Sequence, residues 1–320
     1  MILVTGASGF VGKNLVLKMS ETNQVRILVR KTSKINVFKD NNNIEIVYGE
    51  LEKNQGLDAA LIGIDTVIHS AARTYGRTYY EYYRSNVEAT ENLVNAMNRQ
   101  KTKKMILIST HAGCGPCDNN EPICETYQPK PVSFYGRTKI ISESVVRNSN
   151  LEYIILRPVS VYGPHDTDFL KIIKMIKGGV CPAIGHGKMY INLIYIDDFV
   201  NLIINVLKHN IFNKGTYFSS DGNVYSTDEF IDAVASILKK KYLKITIPTF
   251  IGMLYGLFSD VFLPSHLRLL GRDKIRDMCQ TYWLCTNQAA VSDLGFKPEF
   301  DLQKGMAATI KWYIDNKYLQ

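Results

Sequence analysis

The tightest constraint on this chain lies in its first twelve residues. A strand-like run, Ile2-Leu3-Val4, meets Thr5-Gly6-Ala7-Ser8-Gly9-Phe10-Val11-Gly12, where a helical pattern begins. Gly6 permits a tight turn, Gly9 lets the backbone approach a pyrophosphate, and Gly12 allows close helix–sheet packing. The helix N-terminus then offers free N–H groups to the anion. Strand, glycine turn and helix in that order predict a parallel α/β sheet whose first turn holds a dinucleotide.

The chain continues as this start requires. Runs at Val25–Val29, Ile44–Val47, Thr66–His69, Met105–Ser109 and Leu151–Leu156 alternate with helical patterns at about Tyr82–Met97 and Phe134–Arg147. This alternation predicts a Rossmann-type, doubly wound parallel sheet with a smaller, mostly helical C-terminal domain. With 320 residues there is room for about two domains. Residues 1–160, joined by about 190–220, are expected to bind the nucleotide, and about 161–189 with 221–320 to bind substrate. The chain crosses between the two regions at a glycine-punctuated loop (Gly178, Gly179, Gly185, Gly187) before the apolar run Ile191–Ile196, and the second region ends in a helical pattern at Met306–Tyr313.

Composition narrows the partners. The 38 Lys and Arg against 30 Asp and Glu give +8, spread along the chain, which favours a small anionic ligand over nucleic acid. The chain opens directly on a strand-like run without a leader pattern, so a cytoplasmic protein is expected. Six unevenly spaced cysteines do not form a disulfide framework. The uncharged stretch Ile245–Ser259 contains Pro248 and is too short to span a bilayer. A buried helix is expected there, with a membrane-surface segment or an apolar pocket wall as alternatives.

The residue after the second strand selects the cofactor: a carboxylate there binds a ribose 2′-hydroxyl, and a cation accommodates a 2′-phosphate. Here the chain reads Val29-Arg30-Lys31, which predicts NADP(H) over NAD(H), unless the two cations merely solvate a strand end. Tyr135 and Lys139 stand four apart, on one face of a helix. Lys139, assisted by a positively charged oxidised nicotinamide, would bring the phenol toward a range useful for acid/base work. Ser109 and Thr110 end the Ile106–Ile108 strand, at the sheet edge where open α/β sheets bind ligands.

Several motifs in one order now carry a family resemblance: TGASGFVG, HSAAR (69–73), SNVEAT (85–90), ISTHAG (108–113), YGRTK (135–139), RPVSVYGP (157–164) and LIYIDDFV (193–200). The chain resembles the extended short-chain dehydrogenases/reductases, the NAD-dependent epimerase/dehydratase family, over nearly its whole length. Within it, VRILVRKTS resembles the dihydroflavonol reductase and hopanoid-associated sugar epimerase-like branch. The resemblance implies that Tyr135 donates or accepts the proton and that Lys139 holds the nicotinamide ribose. It places Thr110 as the catalytic hydroxyl, with Ser109 as runner-up. It implies that Gly6, Ser8, Gly9, Phe10 and Val11 line the pyrophosphate, that Ala71 and Ala72 border the cofactor, and that Asn86, Pro158 and Val161 approach the nicotinamide. Glu50 and Leu51 stand where an Asp-Leu pair meets the adenine. Nucleotide-sugar members carry an arginine where this chain has Ile191, followed by Asn192. Arg268, Arg272 and Arg276 are candidate replacements, or else a solvated face. A homodimer is implied by resemblance alone.

Other features compete for a role. Cys114-Gly115-Pro116-Cys117 has a redox-pair spacing, and with Cys124 and His111 it has a zinc-like donor set; reduced loop thiols without metal are the expectation. His111 is a candidate substrate contact, His69 a packed strand-end residue. Tyr75, Tyr79, Tyr80, Tyr82 and Tyr83 are expected mainly in packing. The reading of the whole is an NADP(H)-dependent reductase of a ketone, lipid-like or aromatic given the apolar residues around Phe250–Phe262. The alternatives are a nucleotide-sugar 4-epimerase or related 4-keto-sugar enzyme with retained cofactor, and a non-catalytic nucleotide-binding regulator.

Overall fold

Strands β1 (Ile2–Thr5), β2 (Val25–Val29), β3 (Ile44–Tyr48), β4 (Thr66–His69), β5 (Lys104–Ile108) and β6 (Glu152–Pro158) run parallel. They belong to a computed structural model that describes residues 1–185, 188–263 and 270–319. Their side chains alternate between two apolar layers, as a sheet covered on both faces requires. Leu3, Val67 and Leu107 pack under α2 (Leu57–Leu61), α4 (Ala89–Gln100) and α5 (Phe134–Arg147). Val4, Ile68 and Ile106 pack with α1 (Phe10–Met19) and α7 (Ile196–Lys208). A later strand, β11 (Thr216–Ser219), joins the edge beside β6, giving the order β11-β6-β5-β4-β1-β2-β3. The order reverses between β1 and β4, and ligands of open α/β sheets bind in the crevice at such a point. The expected fold class is therefore the observed one.

The remaining elements lie mostly on the C-terminal side of that crevice. They include α3 (Tyr79–Tyr83), β7 (Ser160–Tyr162), α6 (Asp168–Lys177), β8 (Val180–Ile184), β9 (Tyr190–Ile191), β10 (Leu193–Tyr195) and β12 (Tyr225–Ser226). They continue with α8 (Thr227–Leu238), β13 (Leu243–Ile247), α9 (Thr249–Phe262), α10 (Arg272–Met278), β14 (Tyr282–Trp283), α11 (Gln288–Leu294) and α12 (Leu302–Asp315). Helix α8 begins with a reciprocal cap between Ser226 and Glu229. Asp198 of α7 accepts from the N–H groups of Glu299 and Phe300, each at 3.0 Å, and so fixes the approach to α12.

Three local expectations are corrected. The helix expected at Tyr82–Met97 is interrupted by a π-helical turn at Arg84–Glu88. Thr90 Oγ1 donates to Asn86 O and Ser142 Oγ donates to the same carbonyl, which draws the turn toward α5. The Ile191–Ile196 run splits at Asn192, whose amide donates to Asn223 O and accepts from Cys285 N–H. The Ile245–Ser259 stretch is not a buried helix: it is the end of β13 followed by α9, whose large apolar side chains are exposed.

Candidate active site

At the glycine turn, Gly6 has φ +75°, and a Cβ there would stand 2.5 Å from Ala71 N. A Cβ at Gly12 would stand 2.3 Å from Gly6 O, so this turn closes only with glycine at both places. Around Gly9 the only close atom is Gly6 O at 3.2 Å, and Gly9 caps α1 without a side-chain hydrogen bond. The first-turn N–H groups of α1 therefore face open space over a cradle that a side chain would fill. Ser8, Phe10 and Val11 flank it, half-buried. These features fit a dinucleotide pyrophosphate.

The other strand ends meet on the same edge. Ala71 lies directly against Gly6, while Ala72 is exposed. Glu50 is half-buried and paired with Lys53 at 2.8 Å, and its backbone bridges to Gln55. Leu51 follows it, with its carbonyl accepting from Asn92 at 2.8 Å. Asn86 is buried: its Oδ1 accepts from Arg73 N–H at 2.7 Å and its amide donates to Thr138 Oγ1 at 3.0 Å. It thus ties the loop after β4 to α5. Pro158 ends β6 in the core and Val161 is half-buried in β7.

Helix α5 brings Tyr135 to this edge. Ser133 caps it by accepting from Gly136 N–H at 3.2 Å. A second cap comes from α10: Asp273 accepts from Phe134 N–H at 2.6 Å and from Tyr135 N–H at 3.1 Å. The Thr110 hydroxyl lies close enough to the Tyr135 phenol to lower its pKa, so these two candidate residues are neighbours; the Thr110 oxygen itself accepts from Ala112 N–H at 3.2 Å. Ser109 does not join them; its hydroxyl donates to Glu143 Oε1 at 2.5 Å inside the core. Lys139 is buried and donates to Ile108 O at 2.8 Å. Burial lowers its pKa to about 8, opposed by the Glu143 carboxylate.

Burial pushes the Tyr135 pKa up to about 12; the Thr110 hydroxyl pulls it down and the Asp277 carboxylate pushes it further up. In this state the Tyr135 phenol is protonated at neutral pH, and a positive charge placed beside it would lower its pKa.

Residues that the sequence reading missed include Asp273, Asp277 and the buried pair Glu143 and Arg157, to which Ser109 bonds. One carboxyl oxygen of Asp277 is buried without a hydrogen-bond partner, and burial raises its pKa to about 6. Of the candidate arginines, Arg272 pairs with Asp260 at 3.3 Å, and Arg276 stands 5.2 Å from the Phe134 ring centre. Arg268 lies outside the described residues. Ile191 and Asn192 belong to a packed strand turn and offer no cation.

The competing features fall elsewhere. His111 is wedged edge-on between Phe218 and Trp283, and burial lowers its pKa to about 3, so it is a core residue and not a substrate contact. His69 is buried between Thr5 and Thr90 at 2.7 and 3.0 Å. Burial raises the Cys114 pKa to about 11 and raises that of Cys117, the opposite of a reactive redox thiol. Cys124 is exposed near Thr126. Tyr82 is buried and Tyr79 meets Phe134 edge-on, while Tyr80 is exposed under Arg84. Tyr75 donates to Asp168, and Tyr83 packs against Tyr79.

Comparison with known proteins agrees with the class of this site. An undecaprenol-linked N-acetyl-glucosaminyl-diphosphate 4-epimerase of Escherichia coli O157:H7 is 26% identical over 322 residues, covering 97% of this chain and 94% of that protein. The structure of MoeE5 in complex with UDP-glucuronic acid and NAD superposes with a TM-score of 0.80 at 23% identity, covering 98% of this chain and 99% of that one. UDP-glucuronic acid 4-epimerase from Bacillus cereus in complex with NAD gives 0.79 at 24%, covering 99% of each. These comparisons correct the expected preference for NADP(H): both structures hold NAD. Physically, Arg30 is exposed, with its backbone N–H bonded to Ser33 Oγ, so it is a solvated cation at a strand end. The family model of the NAD dependent epimerase/dehydratase family matches residues 2–217, and this chain is an enzyme of that family, of the extended short-chain dehydrogenase type.

Proposed function

We propose that this enzyme interconverts 4-epimers of a hexose carried on a diphosphate, with NAD retained between turnovers. The observation that carries the reading is that Tyr135 and Thr110 are neighbours at the carboxyl edge of the same sheet whose first strand ends in the glycine turn. The full-length likeness to a diphospho-sugar 4-epimerase supports the choice of reaction. NAD, when bound, would supply reversible hydride acceptance at the sugar C4. Tyr135 takes the C4 hydroxyl proton as the carbonyl forms and gives it back when the hydride returns. Thr110 holds that oxygen through its hydroxyl. Lys139, fixed by Ile108 O, supplies a buried positive charge on the cofactor side of α5 and would hold the nicotinamide ribose. Gly6, Ser8, Gly9, Phe10 and Val11 would hold the pyrophosphate, and Ala71, Ala72, Glu50, Leu51, Asn86, Pro158 and Val161 its remaining borders.

The substrate diphosphate needs cations, and the usual arginine position is Ile191. Arg276, beside Phe134, and Arg272 stand on the helix that caps α5, and we assign them that charge. The test is incubation of the purified enzyme with either epimer of a UDP-hexose, a UDP-N-acetylhexosamine or a polyprenyl-diphospho-N-acetylhexosamine, followed by chromatography of the released sugar. The expected result is one equilibrium mixture reached from both sides without net NADH formation, abolished in Tyr135→Phe. Stoichiometric NADH consumption with a reduced ketone as the only product would refute it.

A further inference from the structure

Helix α9 is built inside out. Its one charged residue, Asp260, is buried against Arg272, and its small residues face the protein: a Cβ at Gly252 would stand 2.9 Å from Ile184 Cγ2, and one at Gly256 2.8 Å from Ile275 Cδ1. The large side chains face out, with Phe250, Leu254, Leu257, Phe258, Val261 and Phe262 each 43% to 69% exposed. Their spacing traces one continuous stripe on a helix. A contiguous uncharged patch of this kind exceeds what a folded surface ordinarily leaves to water and marks an interaction site. The strand that feeds the helix adds exposed Leu243 and Ile245, and is preceded by three consecutive exposed lysines, Lys239, Lys240 and Lys241.

We infer that α9 lies in the surface of a phospholipid bilayer containing anionic lipid, its apolar stripe among the acyl chains and the lysines at the headgroups. No described helix is long and apolar enough to cross a membrane, so the contact is one of lying on the surface. Charge complementarity selects a lipid surface over a second copy of the chain. A second α9 stripe carries no exposed charge that could pair with the lysines, since its one charged residue, Asp260, is buried, whereas anionic headgroups neutralise them. The position also has a catalytic consequence. Helix α10 packs under α9 through Ile275 and Arg272, and the same α10 caps the N–H of Tyr135 through Asp273. Only one helix separates the apolar stripe from the catalytic helix. This deepens, and rests on, the diphospho-sugar reading by naming the carrier: a membrane-embedded polyprenyl chain whose sugar reaches the site from the bilayer surface.

The test floats the full-length protein with vesicles of phosphatidylcholine, with and without phosphatidylglycerol, and compares Leu254→Ser/Phe258→Ser with Ile314→Ser, an exposed apolar control on α12. Wild type and the control should float with the anionic vesicles, and the α9 variant should bind about tenfold less or weaker, with unchanged circular dichroism. Lys239→Gln/Lys240→Gln/Lys241→Gln should lose the anionic preference. Absence of flotation by wild type, or flotation that the α9 variant leaves intact, overturns the proposal. A lipid-free wild-type dimer that the α9 variant makes monomeric in sedimentation velocity also overturns it and assigns the face to a second copy. Activity on a water-soluble UDP-sugar, measured separately, reports on the epimerase reading alone and should be equal in wild type and the α9 variant.

Discussion

Replacing Glu143 by Gln should be among the most damaging single changes in the seven-stranded sheet and its helices, although it removes no atom from the core. The carboxylate is 1% exposed and accepts from Arg157 at 2.9 and 2.6 Å, from Ser109 at 2.5 Å and from Arg147 at 3.0 Å. Burial alone would push its pKa up; Arg157, Ser109 and Arg147 together hold it below the ordinary value. The amide leaves Arg157, 3% exposed and already with one unpartnered Nη1, as an uncompensated buried cation. Breaking a buried pair in this way costs about 3–5 kcal/mol. At about 2 °C per kcal/mol for a chain this long, the midpoint should fall by roughly 6–10 °C. The assay is thermal and urea unfolding of a double-mutant cycle. Glu143→Leu/Arg157→Leu should be more stable than Glu143→Gln, because no stranded charge remains, and Arg147→Ala should cost about 1 kcal/mol or less at its exposed site. A loss below about 1 kcal/mol for Glu143→Gln, or strictly additive energies in the cycle, would refute the reasoning. A lowered carboxyl pKa stabilises above the unfolded value of 4.5, and this stabilisation is lost as pH falls below it.

Tyr135→Phe should reduce kcat by about 10²-fold or more with NAD affinity nearly unchanged, and Thr110→Val by a smaller factor, as read by steady-state turnover and by NADH fluorescence titration. Gly12→Ala should abolish cofactor binding in the same titration, because its methyl group falls 2.3 Å from Gly6 O. Asp273→Ala removes two N–H caps from α5 and should cost about 1–2 kcal/mol in urea unfolding while lowering kcat through the displaced phenol. Burial raises the pKa of Asp277 from 3.8 to about 6, so its penalty on the fold is complete above pH 6 and relieved on acidification toward 3.8. Asp277→Asn should therefore flatten the stability profile in that window, and it should shift the alkaline limb of kcat/KM downward because Asp277 also raises the Tyr135 pKa.

The sheet and the glycine turn were legible because they depend on contacts within a few residues. Apolar runs buried on both faces read as strands whatever the rest of the chain does, and Gly6, Gly9 and Gly12 are dictated by one local turn. Helix α5 was legible for the same reason, at Phe134–Arg147 in both readings. What failed was long-range. Asp273 caps a helix 139 residues away, and no spacing in the sequence connects the two. Lys139 stands four residues from Tyr135, as helical geometry allows, yet its ammonium turns to Ile108 O, a partner set by the β5–α5 packing. Arg30 was misread because a cation at a strand end looks the same whether it meets a phosphate or water.

Helix α9 shows the same limit from the other side. Its sequence, Thr249–Phe262, is apolar enough to be taken for core, and composition cannot say which face a partner covers. The glycines decide it. Gly252 and Gly256 stand four apart and let α9 approach Ile184 and Ile275 closely, so the narrow face must point inward and the bulky one outward. A helix whose purpose was to fill a core would place its phenylalanines on the inner face, where each would bury about 150–250 Å². Here the inner contact uses the smallest residues available, and the apolar surface of the helix is directed at whatever lies beyond the protein.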